Sequence, residues 1–375
     1  MEYYPQDEAN YRFDTIQKGM NAQGIDVLLI YSPQWKMECV HYVSNYRTLG
    51  LSSCALLSAS KDPVLFISEI GDLRRATQTS WIKDIRVYDG KNMDSVAEAA
   101  STMGKTLGIV GLGIMSATQE ASFKKLFGDN IKNGLDILDK AALIKTPWEI
   151  DLLRKGGKLA DIGFRAEYAA IRPGLTEFEL AAEMNYAMTS AGADDNFQML
   201  AAGKDLSCMH VPRETCIVPG DLILTEITPM IGCITYAVQL CRTVKLGKAS
   251  DVEKDKYNLL VEALESALSI IKPGVRAQEI ALVQNQIIGA QGYEKYCNPP
   301  FMRSRGHNFG LGQFELTVDN EMELVPGMCM VVHPNQFIPE TGYLACGETI
   351  IVTETGIERL SGLKGMLYEI EEVSV

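Results

Sequence analysis

Short apolar runs alternate with amphipathic segments through the first third of the chain. Residues 11–24 have helical spacing, and residues 26–31 form an apolar run that predicts a strand. Further strands are predicted at residues 54–57, at Val64–Ile67 and at Leu107–Val110. Strands that alternate with helices are typical of a mixed or parallel sheet covered by helices. The pattern predicts an α/β domain here.

A glycine-containing turn follows the last of these strands. Gly111, Gly113 and Ser116 are similar in spacing to a dinucleotide-binding fingerprint. The third glycine is replaced by Ser116, and no acidic residue follows at the distance that a ribose contact needs. We therefore expect a strand-to-helix turn without a nucleotide.

The pattern changes near residues 141–147. Pro147 can occupy the first turn of a helix, and apolar residues then recur at spacings of three and four until Pro173 and Gly174. We place a domain boundary here, with a smaller domain at residues 1–143 and a larger one at residues 144–375.

The larger domain contains an internal repeat. Residues 171–181 (IRPGLTEFELA) recur as residues 271–281 (IKPGVRAQEIA), and a Pro-Gly strand entry at residues 219–226 is paralleled at residues 326–333. Each half is predicted to contain two helices and then a strand pair. Thr176 with Glu179, and Ser250 with Glu253, predict capping boxes at helix starts. Two such halves can pack about a pseudo-twofold axis as a curved sheet backed by helices.

Polar residues interrupt the apolar strands of both halves at matched positions. Glu226 and Gln239 lie in the first half, and His333 and Glu348 in the second. A polar group inside an apolar strand needs a partner or a function. Each could instead point to solvent from a half-buried strand, but the repeat predicts that all four face one another.

Three of the four histidines lie in the repeat region. His307 stands in a glycine-flanked loop, where a ligand can approach the backbone closely, and His210 precedes Val211 and Pro212. A lone histidine can equally be structural, which is our expectation for His41. Cys208 is expected to be a buried thiol and not a nucleophile.

Composition and charge exclude several classes of protein. The 375 residues carry a net charge of −13 without a basic cluster, so a nucleic-acid binder is not expected. No apolar run approaches the roughly 20 residues of a membrane helix. The polar N-terminus and nine cysteines without a C-x-x-C pair predict reduced thiols in a cytoplasmic protein.

The motifs together resemble the superfamily of creatinase, prolidase, aminopeptidase P and methionine aminopeptidase. The resemblance is carried by Pro219-Gly-Asp, Arg242-Thr243, Gly306-His307 through Leu311, Pro326-Gly-Met, and Glu348 with residues 352–356. It implies an α+β protein, with a C-terminal pita-bread domain containing the pseudo-twofold repeat and a smaller creatinase-type α/β N-terminal domain. It also implies a homodimer.

Metallopeptidases of that superfamily hold two metal ions with Asp, Asp, His, Glu and Glu. The matching positions here are Glu226, Gln239, His307, His333 and Glu348. Two divalent ions need more carboxylate charge than two glutamates provide, so we expect no dinuclear site. His307, His333 and a carboxylate of Glu226 or Glu348 could hold one divalent transition metal ion instead. Our main expectation is that no cofactor is bound.

The resemblance to the non-peptidase members, creatinase and ectoine hydrolase, suggests cleavage of a non-peptide C–N bond in a small zwitterionic substrate. His210 falls where the general acid and base of creatinase would lie. We expect His210, Glu226 and Glu348 to be catalytic, and a second set to bind substrate: His307, His333, Gln239, Arg303 and Arg305.

Two alternatives stay open. One is a metal-dependent hydrolase with a single ion, or an enzyme similar to an Xaa-Pro peptidase. The other is a catalytically inactive pita-bread domain that binds peptides. In every case the partner is a small molecule or peptide, and neither nucleic acid nor membrane is expected.

Overall fold

A computed structural model describes residues 5–232 and 235–371. The chain divides into two units. One contains the chain up to Leu143 together with Gly310–Gly312, and the other contains Ile144–Phe309 and the chain from Gln313 onward.

The N-terminal unit contains six helices and six strands in the part of the chain that is described. The helices are α1 (Gln6–Gln23), α2 (Glu38–Ser44), α3 (Leu73–Thr79), α4 (Asp94–Ser101), α5 (Ala117–Phe127) and α6 (Leu135–Leu143). The strands are β1 (Val27–Pro33), β2 (Ser52–Ser58), β3 (Val64–Ile67), β4 (Asp84–Val87), β5 (Leu107–Val110) and β6 (Ile131–Asn133).

These strands form one mixed sheet, as the alternating pattern predicts. The order is β4-β3-β2-β1-β5-β6, with β1 antiparallel to β2 and parallel to β5. The central strands β1, β2, β3 and β5 are buried along their whole length. Apolar clusters cover both faces, which explains why these strands are continuous apolar runs.

The turn after β5 is a helix start. The Ser116 side chain accepts the backbone N–H of Gln119, and the Gln119 side chain accepts the N–H of Ser116. This capping box begins α5, and Gly111 and Gly113 have the positive φ angles that the turn requires. The geometry supports the expected strand-to-helix turn.

The C-terminal unit contains four long helices and a larger set of strands. The helices are α7 (Pro147–Ala170), α8 (Glu177–Ser190), α9 (Asp251–Ile270) and α10 (Ala277–Ile288). The first strands are β7 (Asp195–Gly203), β8 (Leu222–Ile231), β9 (Tyr236–Ala237), β10 (Leu240–Leu246) and β11 (Gly306–His307). The others are β12 (Cys329–Val332), β13 (Gln336–Ile338), β14 (Gly342–Leu344), β15 (Gly347–Val352), β16 (Ile357–Arg359) and β17 (Tyr368–Ile370).

Nine of the strands described in this unit form one sheet. Its main order is β11-β12-β15-β10-β8-β7, and in addition β16 pairs with β15, β17 with β10 and β9 with β8. Strands β13 and β14 form a separate hairpin. An apolar cluster joins α7 and α8 to β7, β8 and β10, so helices back the sheet as predicted.

The internal repeat is visible in matched backbone contacts. The N–H of Gly174 donates to the carbonyl of Ile217 at 2.9 Å. In the second half, the N–H of Gly274 donates to the carbonyl of Leu324 at 2.9 Å. Both glycines have positive φ, 85° and 87°. Each half therefore leaves its first helix and enters the second through the same left-handed turn, which confirms the repeat.

Helix starts in this unit also follow the prediction. Capping boxes at Thr176 and Ser250 begin α8 and α9, and a third at Thr146 begins α7 with Pro147 in the first turn. Each satisfies backbone N–H groups that a helix start leaves without a partner.

The cysteines are free thiols wherever they are described. Six of them are buried, and Cys208 and Cys216 are exposed, so the expected burial of Cys208 is wrong. Cys233 lies outside the described residues. No helix within residues 5–232 and 235–371 is long and apolar enough to cross a membrane.

Candidate active site

The strand register places the candidate residues in one band across the larger sheet. Gly306 pairs with Val332, Val332 with Glu348, Glu348 with Leu240, and Leu240 with Ile227. His307, His333, Gln239 and Glu226 are the chain neighbours of these paired residues. The fold therefore brings the matched positions of the two repeat halves onto adjacent strands.

Glu226 points away from the helices that back the sheet. Its neighbour Thr225 donates its hydroxyl to Glu167 of α7 at 3.0 Å. Because successive side chains of a strand alternate between faces, Glu226 lies on the opposite face. There its Oε1 accepts a hydrogen bond from Nδ2 of Asn335 at 2.7 Å.

Burial raises the pKa of Glu226 to about 7, although the hydrogen bond from Asn335 opposes that shift. A carboxyl group with this pKa exists in both protonation states near neutral pH. It can therefore accept a proton in one step of a reaction and return it in another.

Gln239 is buried, and both ends of its amide have partners. Its Nε2 lies 3.3 Å from the Thr228 hydroxyl, and its Oε1 lies 3.6 Å from the thiol of Cys241. The neutral amide is thus part of the local packing and adds no negative charge to the band.

Glu348 is buried between two arginines. Nε of Arg359 donates to its Oε1, and Nη2 of Arg242 lies 3.4 Å from its Oε2. Both carboxylate oxygens are therefore engaged within the chain, and the two guanidinium groups compensate the charge.

Glu348 pairs with Leu240, and Leu240 with Ile227, so its side chain lies on the face of the sheet that the helices back. It does not face Glu226, so the expectation that all four matched residues face one another is wrong for Glu348, and its predicted catalytic role has no geometric support.

His307 and His333 face each other, with ring centroids 5.3 Å apart. Burial lowers the pKa of both rings, that of His333 to about 3. Nδ1 of His307 lies 3.1 Å from the carbonyl of Asn308. A carbonyl only accepts, so this Nδ1 carries the proton and Nε2 is left as an acceptor. Nδ1 of His333 is buried and bonds to no other described residue.

His210 lies next to β7, along the edge of this strand that does not pair with β8. Its carbonyl accepts the N–H of Leu200 at 2.8 Å, and Leu200 pairs with Thr225 of β8. Its Nδ1 lies 2.8 Å from the carbonyl of Val211 and 3.8 Å from a carboxylate oxygen of Glu177. Among the described residues, the hydrogen bonds and ion pairs of His210 do not include a residue of the band, and its catalytic role stays a prediction.

The two arginines before His307 have protein partners. Arg303 is largely exposed and forms an ion pair with Glu315. Arg305 is buried and donates to Asn285, to Gln336 and to the carbonyl of Asn335. These contacts occupy Arg305 in the interior of the unit, so its predicted part in substrate binding has no geometric support here.

Sequence reasoning missed two residues near Glu226. Asn335 hydrogen-bonds to it, and Tyr343 lies close enough that the Glu226 charge contributes, after burial, to raising the pKa of its phenol. A usable signal existed for Asn335, because it stands two residues after His333 in the repeat. Tyr343 lies on the hairpin strand β14, which the sequence pattern did not predict.

The residues present do not fit a dinuclear metal centre. Within the described residues, no group of three His, Cys, Asp or Glu is arranged to hold a metal ion. Gln239 supplies no charge, and the oxygens of Glu348 are engaged by arginines. The remaining donors in the band are the His307 and His333 pair and Glu226.

Comparison with known proteins identifies relatives along the chain. The sequence model for metallopeptidase family M24 matches residues 151–354, and that of the creatinase/prolidase N-terminal domain matches residues 12–141. An uncharacterized peptidase, YqhT, from Bacillus subtilis is 30% identical over 89% of this chain and 92% of its own.

Relatives with a named activity match at similar coverage. The Xaa-Pro dipeptidase of Pyrococcus furiosus is 27% identical over 93% of this chain and 97% of its own. The crystal structure of the prolidase from Pyrococcus horikoshii OT3 superposes with a TM-score of 0.82 at 25% identity, covering 94% and 98% of the two chains. These matches confirm the two-domain α+β architecture with a pita-bread C-terminal domain.

The comparisons correct the expected function. Creatinase-like cleavage of a non-peptide C–N bond is wrong, because the named relatives are Xaa-Pro dipeptidases and the matching family is one of peptidases. They favour the alternative of an Xaa-Pro peptidase-like hydrolase. The family's description as metallopeptidases also counts against the expectation of no cofactor and agrees with the alternative of a divalent metal ion.

Proposed function

We propose that this chain, which belongs to metallopeptidase family M24, hydrolyses the peptide bond of small dipeptides. Dipeptides with proline at the second position are the substrate class we favour. The likeness to Xaa-Pro dipeptidases over nearly the full length of both chains carries this proposal. A small molecule is thus the partner, and the cytoplasmic location and the homodimer stay predictions from the sequence.

Glu226 is the residue we assign to proton transfer. Hydrolysis adds a water oxygen to the carbonyl carbon, breaks the C–N bond and delivers a proton to the leaving nitrogen. The leaving nitrogen, of proline as of any other residue, must gain a proton to depart as an amine. The carboxyl of Glu226, with a pKa of about 7, can take the proton from water and give it to that nitrogen.

The histidine pair at the other end of the band would bind substrate. His307 is neutral, and its Nε2 is an acceptor because Nδ1 donates to Asn308. An acceptor in this place suits the ammonium group of a dipeptide. The roles assigned to Glu226 and to the histidine pair do not require a dinuclear metal centre, which the described His, Cys, Asp and Glu side chains do not form.

The test is hydrolysis of alanyl-proline and leucyl-proline, with alanyl-alanine for comparison, measured as released proline or alanine with and without added Mn²⁺. Glu226→Gln should lower kcat by about 10²–10⁴-fold. Glu183→Gln, on an exposed position of α8, is the matched control and should leave kcat unchanged. The proposal fails if no dipeptide is cleaved under either condition, or if Glu226→Gln keeps the activity of the unmodified protein.

A further inference from the structure

Asn335 is a buried amide that joins the two repeat halves at Glu226. Its Nδ2 donates to Oε1 of Glu226 at 2.7 Å, and its Oδ1 accepts the backbone N–H of Cys346 at 2.8 Å. Glu226 lies on β8 in the first half, whereas Asn335 follows β12 in the second. The amide is only 1% exposed, so water does not compete for these contacts.

The orientation of this amide is fixed by its neighbours. A backbone N–H can only donate, so the atom of Asn335 that faces Cys346 must be the carbonyl oxygen. The NH2 group then has to face Glu226. A flipped amide would oppose two donors at Cys346 and two acceptors at Glu226, and would leave buried polar groups unpaired, which is unfavourable.

The backbone of Asn335 is held from the other side by Arg305. Nη1 of this buried guanidinium donates to the Asn335 carbonyl at 3.1 Å, and Nη2 donates to Gln336 at 2.8 Å. Nε donates to Oδ1 of Asn285 at 2.6 Å. Side chain and backbone of Asn335 are therefore both fixed before any substrate arrives.

The consequence falls on the two oxygens of Glu226. Among the described residues, Asn335 is the side chain that hydrogen-bonds to this carboxyl, and it engages Oε1. We propose that Asn335 is the positioning residue of Glu226. Asn335 holds Oε1 of the carboxyl group and thereby turns Oε2 toward the substrate. This inference rests on the proposed function, in which Glu226 transfers the proton.

Asn335→Asp tests the contribution of the Nδ2 donor that faces Glu226. It keeps the size of the side chain and an oxygen for Cys346, but it replaces the NH2 group that faces Glu226. In the leucyl-proline assay we expect kcat to fall about 10- to 100-fold with KM changed less than about twofold. Asn185→Asp makes the same chemical change at an exposed position of α8, keeps an oxygen for Gln198 and does not touch Glu226, so it should leave both constants unchanged. An Asn335→Asp protein with unaltered kcat would overturn the inference.

A second measurement does not depend on activity. Asn335→Asp should lower the urea midpoint of unfolding when residue 226 is Glu, because two carboxyls then oppose each other. In the Glu226→Gln background the new amide can donate to the carboxylate introduced by Asn335→Asp, so the loss should largely disappear. An equal loss in both backgrounds contradicts the pairing. An unmodified protein without dipeptidase activity would refute the proposed function, while this cycle would still decide whether Asn335 and Glu226 are coupled.

Discussion

Two glutamates lie on opposite faces of β8, and their surroundings differ. Glu226 faces the candidate site, whereas Glu167 of α7 is fully buried behind the sheet and bonded to Thr225. Oε1 of Glu167 has no hydrogen-bond partner among the described residues. Burial raises its pKa to about 8, so it is a neutral acid at neutral pH and takes no part in the proposed chemistry.

This burial makes stability depend on pH. The folded pKa of Glu167 lies above its unfolded value of 4.5, so the folded state binds more protons between these two values. Stability from this group is therefore complete below about pH 4.5 and is lost as pH rises toward 8, by roughly 1.4 kcal/mol per pH unit. Glu167→Gln should remove the contribution of Glu167 to the slope in urea unfolding measured from pH 5 to pH 8, while the contribution of Glu226, whose pKa is also raised, remains.

The matched control is Glu262→Gln, at an exposed position of α9, which should leave the slope unchanged. A Glu167→Gln protein with the same pH slope as the unmodified chain would show that Glu167 is solvated in solution.

At this scale the sequence predicted residues that interrupt apolar strands and missed residues whose role depends on distant partners. Glu226, His307 and His333 were found because a polar group in a β-prone run is conspicuous. Asn335 follows a strand and looks like an ordinary turn residue until its contact with Glu226, 109 positions away, is known. Its spacing from His333 in the repeat could have marked the position, but no sequence pattern predicts that Glu226 is its partner.

Helices and their caps were the elements that sequence predicted best. The boxes at Thr176 and Ser250 are local, because cap and partner are three residues apart and need no tertiary context. Strand β10, in contrast, is buried along its whole length and includes Lys245, whose ammonium bonds to Glu253 and to the carbonyl of Gly220. A lysine with two such partners cannot be recognised as buried from the strand alone.

The cap of α9 gives a prediction at the element scale. The Ser250 hydroxyl both accepts the N–H of Glu253 and donates to its carboxylate. Ser250→Ala should lower the free energy of unfolding by about 1 kcal/mol, measured by urea titration. Ser269→Ala, near the other end of the same helix and exposed, should change it by less than about 0.5 kcal/mol. Equal effects of the two substitutions would show that the cap adds nothing.

Across the whole chain, the change of pattern near residues 141–147 predicted two domains, and a long-range repeat predicted the architecture of the larger one. A segment that recurs 100 residues later with the same Pro-Gly turn reports on topology, which local propensity does not. The fold followed from that repeat and from family motifs, whereas the reaction did not. The ligand substitutions led toward creatinase-like chemistry, but likeness along the full chain points to dipeptidases.

The metal content of the whole protein follows from the charges in the band. Two divalent ions carry four positive charges. Glu348 does not help to neutralise them, because it points to the helix-backed face of the sheet and is already compensated by Arg242 and Arg359. After loading with Mn²⁺ and gel filtration, elemental analysis should give at most about one ion per chain. The double variant Gln239→Asp with His333→Glu adds two carboxylates and should bind more. About two ions in the unmodified protein would contradict this reading of the site.

The hydrogen bond between Asn335 and Glu226 bears on how the two halves of the repeat diverged. Thr228 stands two residues after Glu226, as Asn335 stands two residues after His333, yet Thr228 bonds within its own half to Gln239 whereas Asn335 crosses to the other. Two identical half-chains related by a symmetry axis must carry the same residue at both places. A single chain that contains both halves can carry different residues at the two places, and such an asymmetric site suits the proposed substrate, which has a charged amine at one end and a proline at the other.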